Sequence, residues 1–205
     1  MHGAGTSSWR IAVDYGNALN AACYVRDVGG VPLGDDLSVP PRLMHLSVGA
    51  PSPVALEAAP AWHRWWTSLA SAPRADLRSG SSPGPEERDS STALTLLLDQ
   101  LQGEADAWSS DLARRHPAPS LPPYAPVEDL QRRQELHRQV AEEVIGDYAV
   151  TPDRVTARVE LIWSGGPWTH QPSRGALLCS IATWMNEGAY RSALKATFER
   201  GLARG

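Results

Sequence analysis

From position 155 to 163, apolar side chains occupy every second position, which is the period of a half-buried β-strand. These side chains are Val155, Ala157, Val159, Leu161 and Trp163. The apolar run from 177 to 181 fits a second strand, and Asn186 opens a helix whose apolar stripe ends at Leu202. Two strands and a helix must bury their apolar faces against one another, so we expect a globular domain.

The first fifty residues predict a β-meander. Apolar and polar residues alternate from 9 to 15, and 21 to 26 would form the hairpin partner of that strand. A third short strand is expected from 43 to 48. The meander and a C-terminal hairpin would then share one mixed sheet.

Apolar residues at helical spacing predict the remaining elements. The stripe Trp62, Trp65, Trp66 and Leu69 predicts a short helix that begins at Pro60. Longer amphipathic helices are expected from 92 to 115 and from 127 to about 146. The prediction is one α+β domain over residues 1–205, with three to four helices packed against the sheet.

Two segments differ in composition from the rest. The stretch 73–91 is rich in serine, glycine, proline and charged residues, so it buries too little apolar surface and is expected to be a mobile loop. The segment 117–126 holds several prolines and is predicted to be a stiff, extended connector.

Composition excludes several classes of function. A net charge of −4 and a sequence pI near 5.8 argue against binding to nucleic acid or to an anionic membrane surface. We find no apolar run of the roughly 18 residues that a membrane span needs and no signal peptide, so a cytoplasmic protein is expected. Cys23 and Cys179 lie in apolar runs and are interpreted as buried free thiols. The histidine spacings and the lack of a CxxC pair predict no metal or cofactor site.

The run IAVDYGNALNAACYV places Asp14 at the end of a strand and Gly16 and Asn17 in the following turn. This stretch resembles the first phosphate hairpin of the actin and Hsp70-like ATPases. The resemblance implies that Asp14 orients metal-bound water and that Gly16 and Asn17 approach phosphate. An ordinary tight hairpin turn is the alternative, because the same residue types favour it.

The loop 164–175 has the composition of a binding site, since it combines glycine and proline with Trp168, His170 and Arg174. Trp168 would either contact a ligand or partner, or pack back on the sheet. The same choice applies to the tryptophan helix: Trp62, Trp65 and Trp66 would form core, or part of the cluster would cover a partner.

No motif specifies a reaction. The sequence therefore favours a non-catalytic accessory protein whose protein partner meets the tryptophan helix, the loop 164–175, or both. The charged helix that begins near 127 leaves a homodimer open. The alternative is a small-molecule-binding protein or small enzyme with a pocket near the loop, using His170, Arg174 and Asp14.

Overall fold

A computed structural model describes residues 9–44, 46–72, 91–115 and 127–202, and the side chains of all of these except 112–115 and 127–130. The strands are β1 (Arg10–Tyr15), β2 (Thr156–Ile162), β3 (Thr169–His170) and β4 (Ala176–Ser180). The helices are α1 (Asn17–Val28), α2 (Pro53–Ser71), α3 (Thr92–Arg115), α4 (Val127–Tyr148), α5 (Ile181–Met185) and α6 (Glu187–Leu202). A 3₁₀ turn at Pro152–Arg154 leads into β2.

The four strands form one mixed sheet in the order β1-β2-β4-β3. β1, β2 and β4 run parallel, while β3 is antiparallel to β4. The α+β class and the mixed sheet predicted from the sequence are thereby confirmed. The predicted C-terminal hairpin between β2 and β4 is wrong, because these two strands are parallel neighbours; β4 forms its hairpin with β3 instead.

Helices cover both faces of this sheet. One face packs Ile162 and Leu178 against α1, α2 and α3. The opposite face packs Val159, Leu161 and Leu177 against α4, α5 and α6. Parallel strands are normally buried on both faces, and the fully buried residues of β4 follow that rule.

The predicted N-terminal meander is wrong. Residues 21–26 belong to α1, and the segment from 43 to 48 makes a single bridge, between Leu43 and Ser164. The run after Gly16 contains three alanines and buries Leu19, Ala22 and Cys23 at helical spacing. Alanine has the highest intrinsic helix propensity, so the helical period prevails over the strand interpretation.

The other helix predictions agree closely with the structure. α3, α4 and α6 occupy the expected ranges, whereas α2 begins at Pro53, so Pro60 lies inside it. Ser52 explains the earlier start, because its Oγ caps the helix by accepting from the Ala55 N–H at 3.1 Å. Ser91 caps α3 in the same way, by accepting from the Leu94 N–H. The rest of the predicted loop, 73–90, and the predicted connector 117–126 lie outside the described residues.

A fully buried asparagine joins α1 to β2. The Asn20 side-chain amide donates to the carbonyls of Gly16 and Leu161, each at 3.0 Å, and its Oδ1 accepts from the Trp163 N–H at 2.8 Å. Every polar group of this side chain therefore serves backbone that the fold removes from water.

Truncating this asparagine should destabilise the protein. Asn20→Ala leaves the Trp163 N–H without its partner and leaves the Leu161 carbonyl with only the longer bond from the Gly16 N–H, at 3.3 Å, and an unsatisfied group of this kind costs about 1–3 kcal/mol. We expect a loss of roughly 3 kcal/mol in the free energy of unfolding, measured by urea denaturation. The exposed neighbour Asn17 supplies the control, since Asn17→Ala should change stability little. Equal stability of the two variants would contradict this role.

Candidate functional site

A groove of about 610 Å³ opens beside the loop 164–175, between β3, α6 and the segment after α1. It is lined by Leu37, Ser38, Thr169, His170, Gln171, Ala193, Ala196 and Arg200. Leu37 forms one lip and is 88% exposed. The groove thus offers apolar surface and polar side chains together, as binding sites do.

Trp168 fixes the loop side of the groove. Its indole N–H donates to the Leu37 carbonyl at 2.9 Å, and its backbone N–H donates to Thr183 Oγ1 at 2.9 Å and Ser180 Oγ at 3.1 Å. Its ring lies 6.4 Å from that of Trp66. Trp168 therefore packs against Trp66 of α2, and its hydrogen bond to the Leu37 carbonyl holds Leu37 at the lip.

His170 is the titratable group at the centre of the groove. Its ring stacks on Trp168 at 6.2 Å with an interplanar angle of 22°. Partial burial lowers the pKa of His170 below its usual value; the Asp36 carboxylate opposes this shift and the Arg200 guanidinium adds to it. The pKa of His170 therefore responds to two opposite charges, those of Asp36 and Arg200.

Arg200 supplies the cation of the groove wall. The side chain is exposed and donates one hydrogen bond, at 3.2 Å, to the Gln171 carbonyl. The Gln171 side chain donates in turn to Thr197 Oγ1 at 2.9 Å, which attaches the loop to α6. A guanidinium has five N–H donors, so most of its capacity for an anionic group remains available.

The tryptophan helix lies inside the fold. Trp62, Trp65 and Trp66 are 0–1% exposed, and the indole N–H groups of Trp62 and Trp66 donate to the carbonyls of Ala22 and Ser38. The burial supports the core alternative for all three and leaves none of them on a surface that a partner could reach in this conformation.

Two residues of the predicted pocket lie elsewhere. Arg174 is exposed in the turn before β4, and Asp14 lies in β1 opposite Glu160 of β2. Neither lines the groove. Of the three residues expected to converge there, the structure places only His170 in it.

The turn after β1 leads into a helix, so the hairpin on which the phosphate interpretation rests is absent. Gly16 precedes the first turn of α1, and Asn17 begins that helix. A Cβ at Gly16 would lie 3.0 Å from the Glu160 Oε2 atom. A buried carboxylate therefore occupies the space above this glycine, where it would repel phosphate. The phosphate roles of Asp14, Gly16 and Asn17 gain no support from this geometry.

Sequence reasoning missed most of the groove. Leu37, Gln171 and Arg200 come from three separate segments, and no local pattern joins them. The only available signal was that Ala193, Ala196 and Arg200 share one helical face at spacings of three and four.

The acidic residues near His137 in the sequence, Glu135 and Glu142, favour a solvated surface histidine, and the structure corrects this prediction. His137 is half-buried, and its Nε2 lies 3.0 Å from Tyr190 Oη. Its ring also packs edge-on against Trp184 at 6.0 Å. The cause is its position on the border of the buried stripe of α4, where an imidazole can reach the aromatic side chains of α5 and α6.

Two further features bear on the class of protein. Cys23 and Cys179 are buried and free, as the sequence predicted, and burial raises the pKa of each thiol to about 12.

Among the described residues, no helix is both long and apolar enough to cross a membrane, and no group of three or more acidic, histidine or cysteine side chains could hold a metal.

Comparison with protein-family models, with curated proteins and with solved structures returned no match. The assignment of function therefore depends on the geometry of the site.

The charges around His170 predict opposite shifts in its pKa. Asp36→Asn should lower the pKa of His170, because a carboxylate that favours imidazolium is removed. Arg200→Gln should raise it, because a repelling cation is lost. NMR titration of the histidine ring protons measures both, with Arg174→Gln as a matched control outside the groove. Shifts of the same sign in the two groove variants would contradict this arrangement.

His137 predicts an acid-dependent loss of stability. Burial and the neighbouring Arg133 lower its pKa from 6.5 to about 4. The unfolded chain therefore binds this proton first, so the free energy of unfolding should fall as the pH falls from about 6.5 to 4 and then level off. His137→Gln should remove roughly 2 kcal/mol of that pH dependence, at 1.36 kcal/mol for each pKa unit. Urea denaturation of the wild type and of His137→Gln at pH 7 and pH 4.5 measures the difference. Equal losses of unfolding free energy in the two proteins would contradict the assignment of this pH dependence to His137.

Proposed function

We propose that this chain is a non-catalytic accessory protein that binds a segment of a protein partner in the groove beside the loop 164–175. The observation that carries the proposal is the combination, in one groove, of a highly exposed leucine and an exposed arginine, Leu37 and Arg200. Arginine is enriched among the residues that dominate binding at protein interfaces, and an exposed leucine adds apolar surface that a partner can remove from water.

The openness of the groove favours a segment of a protein over a small ligand. Leu37, Thr169, Ala196 and Arg200 all remain exposed, so the groove does not enclose its contents. Small-molecule sites bury most of the ligand surface, which these walls would not do. An apolar side chain of a partner would cover Leu37, and both side chains would then be buried.

The charges define the chemistry of that segment. Arg200 and His170 line the β3 and α6 side of the groove, and the Asp36 carboxylate is close enough to His170 to favour its charged form, although Asp36 does not line the groove. An acidic side chain of the partner would fit beside Arg200, away from Asp36. We place this complex in the cytoplasm, and a second copy of the chain is among the partners that the test can identify.

Paired variants test this surface. Leu37→Ser and Arg200→Gln should each reduce capture of the partner by the tagged protein from its parent cells at least fivefold, because each removes one predicted contact of the groove. Leu56→Ser and Arg174→Gln are the matched controls, since they alter an exposed leucine and an exposed arginine away from the groove. Light scattering on the same samples detects a homodimer.

Equal capture by groove and control variants would exclude this groove as the partner surface. If the groove variants instead abolish thermal stabilisation by a small anion while no protein is captured, the small-molecule alternative is the correct one.

A further inference from the structure

The groove runs along an unpaired edge of the sheet. β3 is the last strand in the order β1-β2-β4-β3, and no strand among the described residues lies beyond it. Thr169, His170 and Gln171 of this edge all line the groove. An edge strand presents backbone N–H and C=O groups in the geometry that a further strand would pair with.

The register of β3 identifies which backbone groups point into the groove. Thr169 lies opposite Cys179 and His170 opposite Leu178, and the Trp168 carbonyl accepts from the Ser180 N–H at 2.9 Å. In an antiparallel ladder, alternate residues bond to the partner strand, so Trp168 and His170 face β4. Thr169, between them, directs its N–H and carbonyl to the other side, and its side chain is exposed.

The face of α6 opposite this edge leaves space for an extended peptide segment. Ala193 and Ala196 of α6 line the groove with single methyl groups, and Arg200 follows on the same face one turn later. Small side chains let a backbone approach closely, while the guanidinium lies where a carboxylate on that chain could reach it. The next outward carbonyl of this edge, that of Gln171, already accepts from Arg200 at 3.2 Å, so Thr169 is the residue whose backbone a further strand would pair with.

We propose that the partner segment binds in extended conformation by adding a short strand to β3. The N–H and carbonyl of Thr169 pair with the backbone of the segment, an apolar side chain covers Leu37, and an acidic side chain pairs with Arg200. This proposal rests on the proposed function and adds to it the conformation and the composition of what is bound. Strand addition draws its affinity from main-chain hydrogen bonds and its specificity from alternate side chains.

A phage-displayed library of random peptides, selected against the full chain, provides the probes. The selected peptides should share an acidic residue and alternating apolar residues, and Arg200→Gln should weaken their binding at least fivefold. Thr169→Pro should weaken it at least tenfold, because proline lacks the N–H that faces the groove. Thr169→Val keeps that N–H and should bind as the wild type does.

A peptide-side measurement makes the test independent of whether Thr169→Pro folds. In an N-methyl scan of one selected peptide, strand addition predicts that methylation at alternate positions abolishes binding and that methylation between them has little effect. The modified peptides leave the protein unchanged. Isothermal titration measures each dissociation constant.

The outcomes separate this inference from the function on which it rests. If peptides bind in an Arg200-dependent manner but tolerate Thr169→Pro and every N-methyl group, strand addition is overturned and the groove remains a partner site. If no peptide is selected, or if the selected peptides are insensitive to Arg200→Gln and Leu37→Ser, both proposals fail.

Discussion

The groove and much of the surrounding fold depend on one buried ion pair. Arg26 and Asp27, both fully buried at the end of α1, bond to each other at 2.7 Å, and Asp27 also accepts from the Leu43 N–H at 2.7 Å. Arg26 donates to the carbonyls of Pro40 and Pro41. Each charge is thus satisfied by the other and by backbone, the condition under which buried charges are tolerated. The pair holds the chain after α1 against the core.

The Arg26–Asp27 ion pair connects the interior of the protein to the groove. The segment that it fixes includes the carbonyls of Leu37 and Ser38, which accept from the indoles of Trp168 and Trp66. Trp66 and Trp168 therefore support the lip of the groove by hydrogen bonds. The exposed side chain of Leu37 is the part of the lip that a partner would contact. The tryptophan-rich segment of the sequence lies behind this lip, and the residues that face solvent there are different ones.

Local sequence patterns predicted those strands and helices that bury a regular stripe of side chains. Alternation identified β2, and the 3.6-residue period identified α3 and α4, because each of these elements buries a regular stripe. α1 was missed since its alanine-rich run also fits a short strand. Strand order and the groove could not be predicted, because they depend on contacts between distant positions, such as Trp168 with Leu37, that leave no local periodicity.

The central position of β2 determines when the protein can fold during synthesis. The Asn20 side chain bonds to Leu161 and Trp163, which lie 141 and 143 positions later in the chain. β1 and the first three helices therefore emerge from the ribosome well before the strand that completes their sheet. Until then the edge of β1 and the part of the α1–α3 core that Ile162 and Leu178 cover are open to water, a state in which nascent chains aggregate or engage chaperones. The last quarter of the sequence thus completes a core that the first half begins.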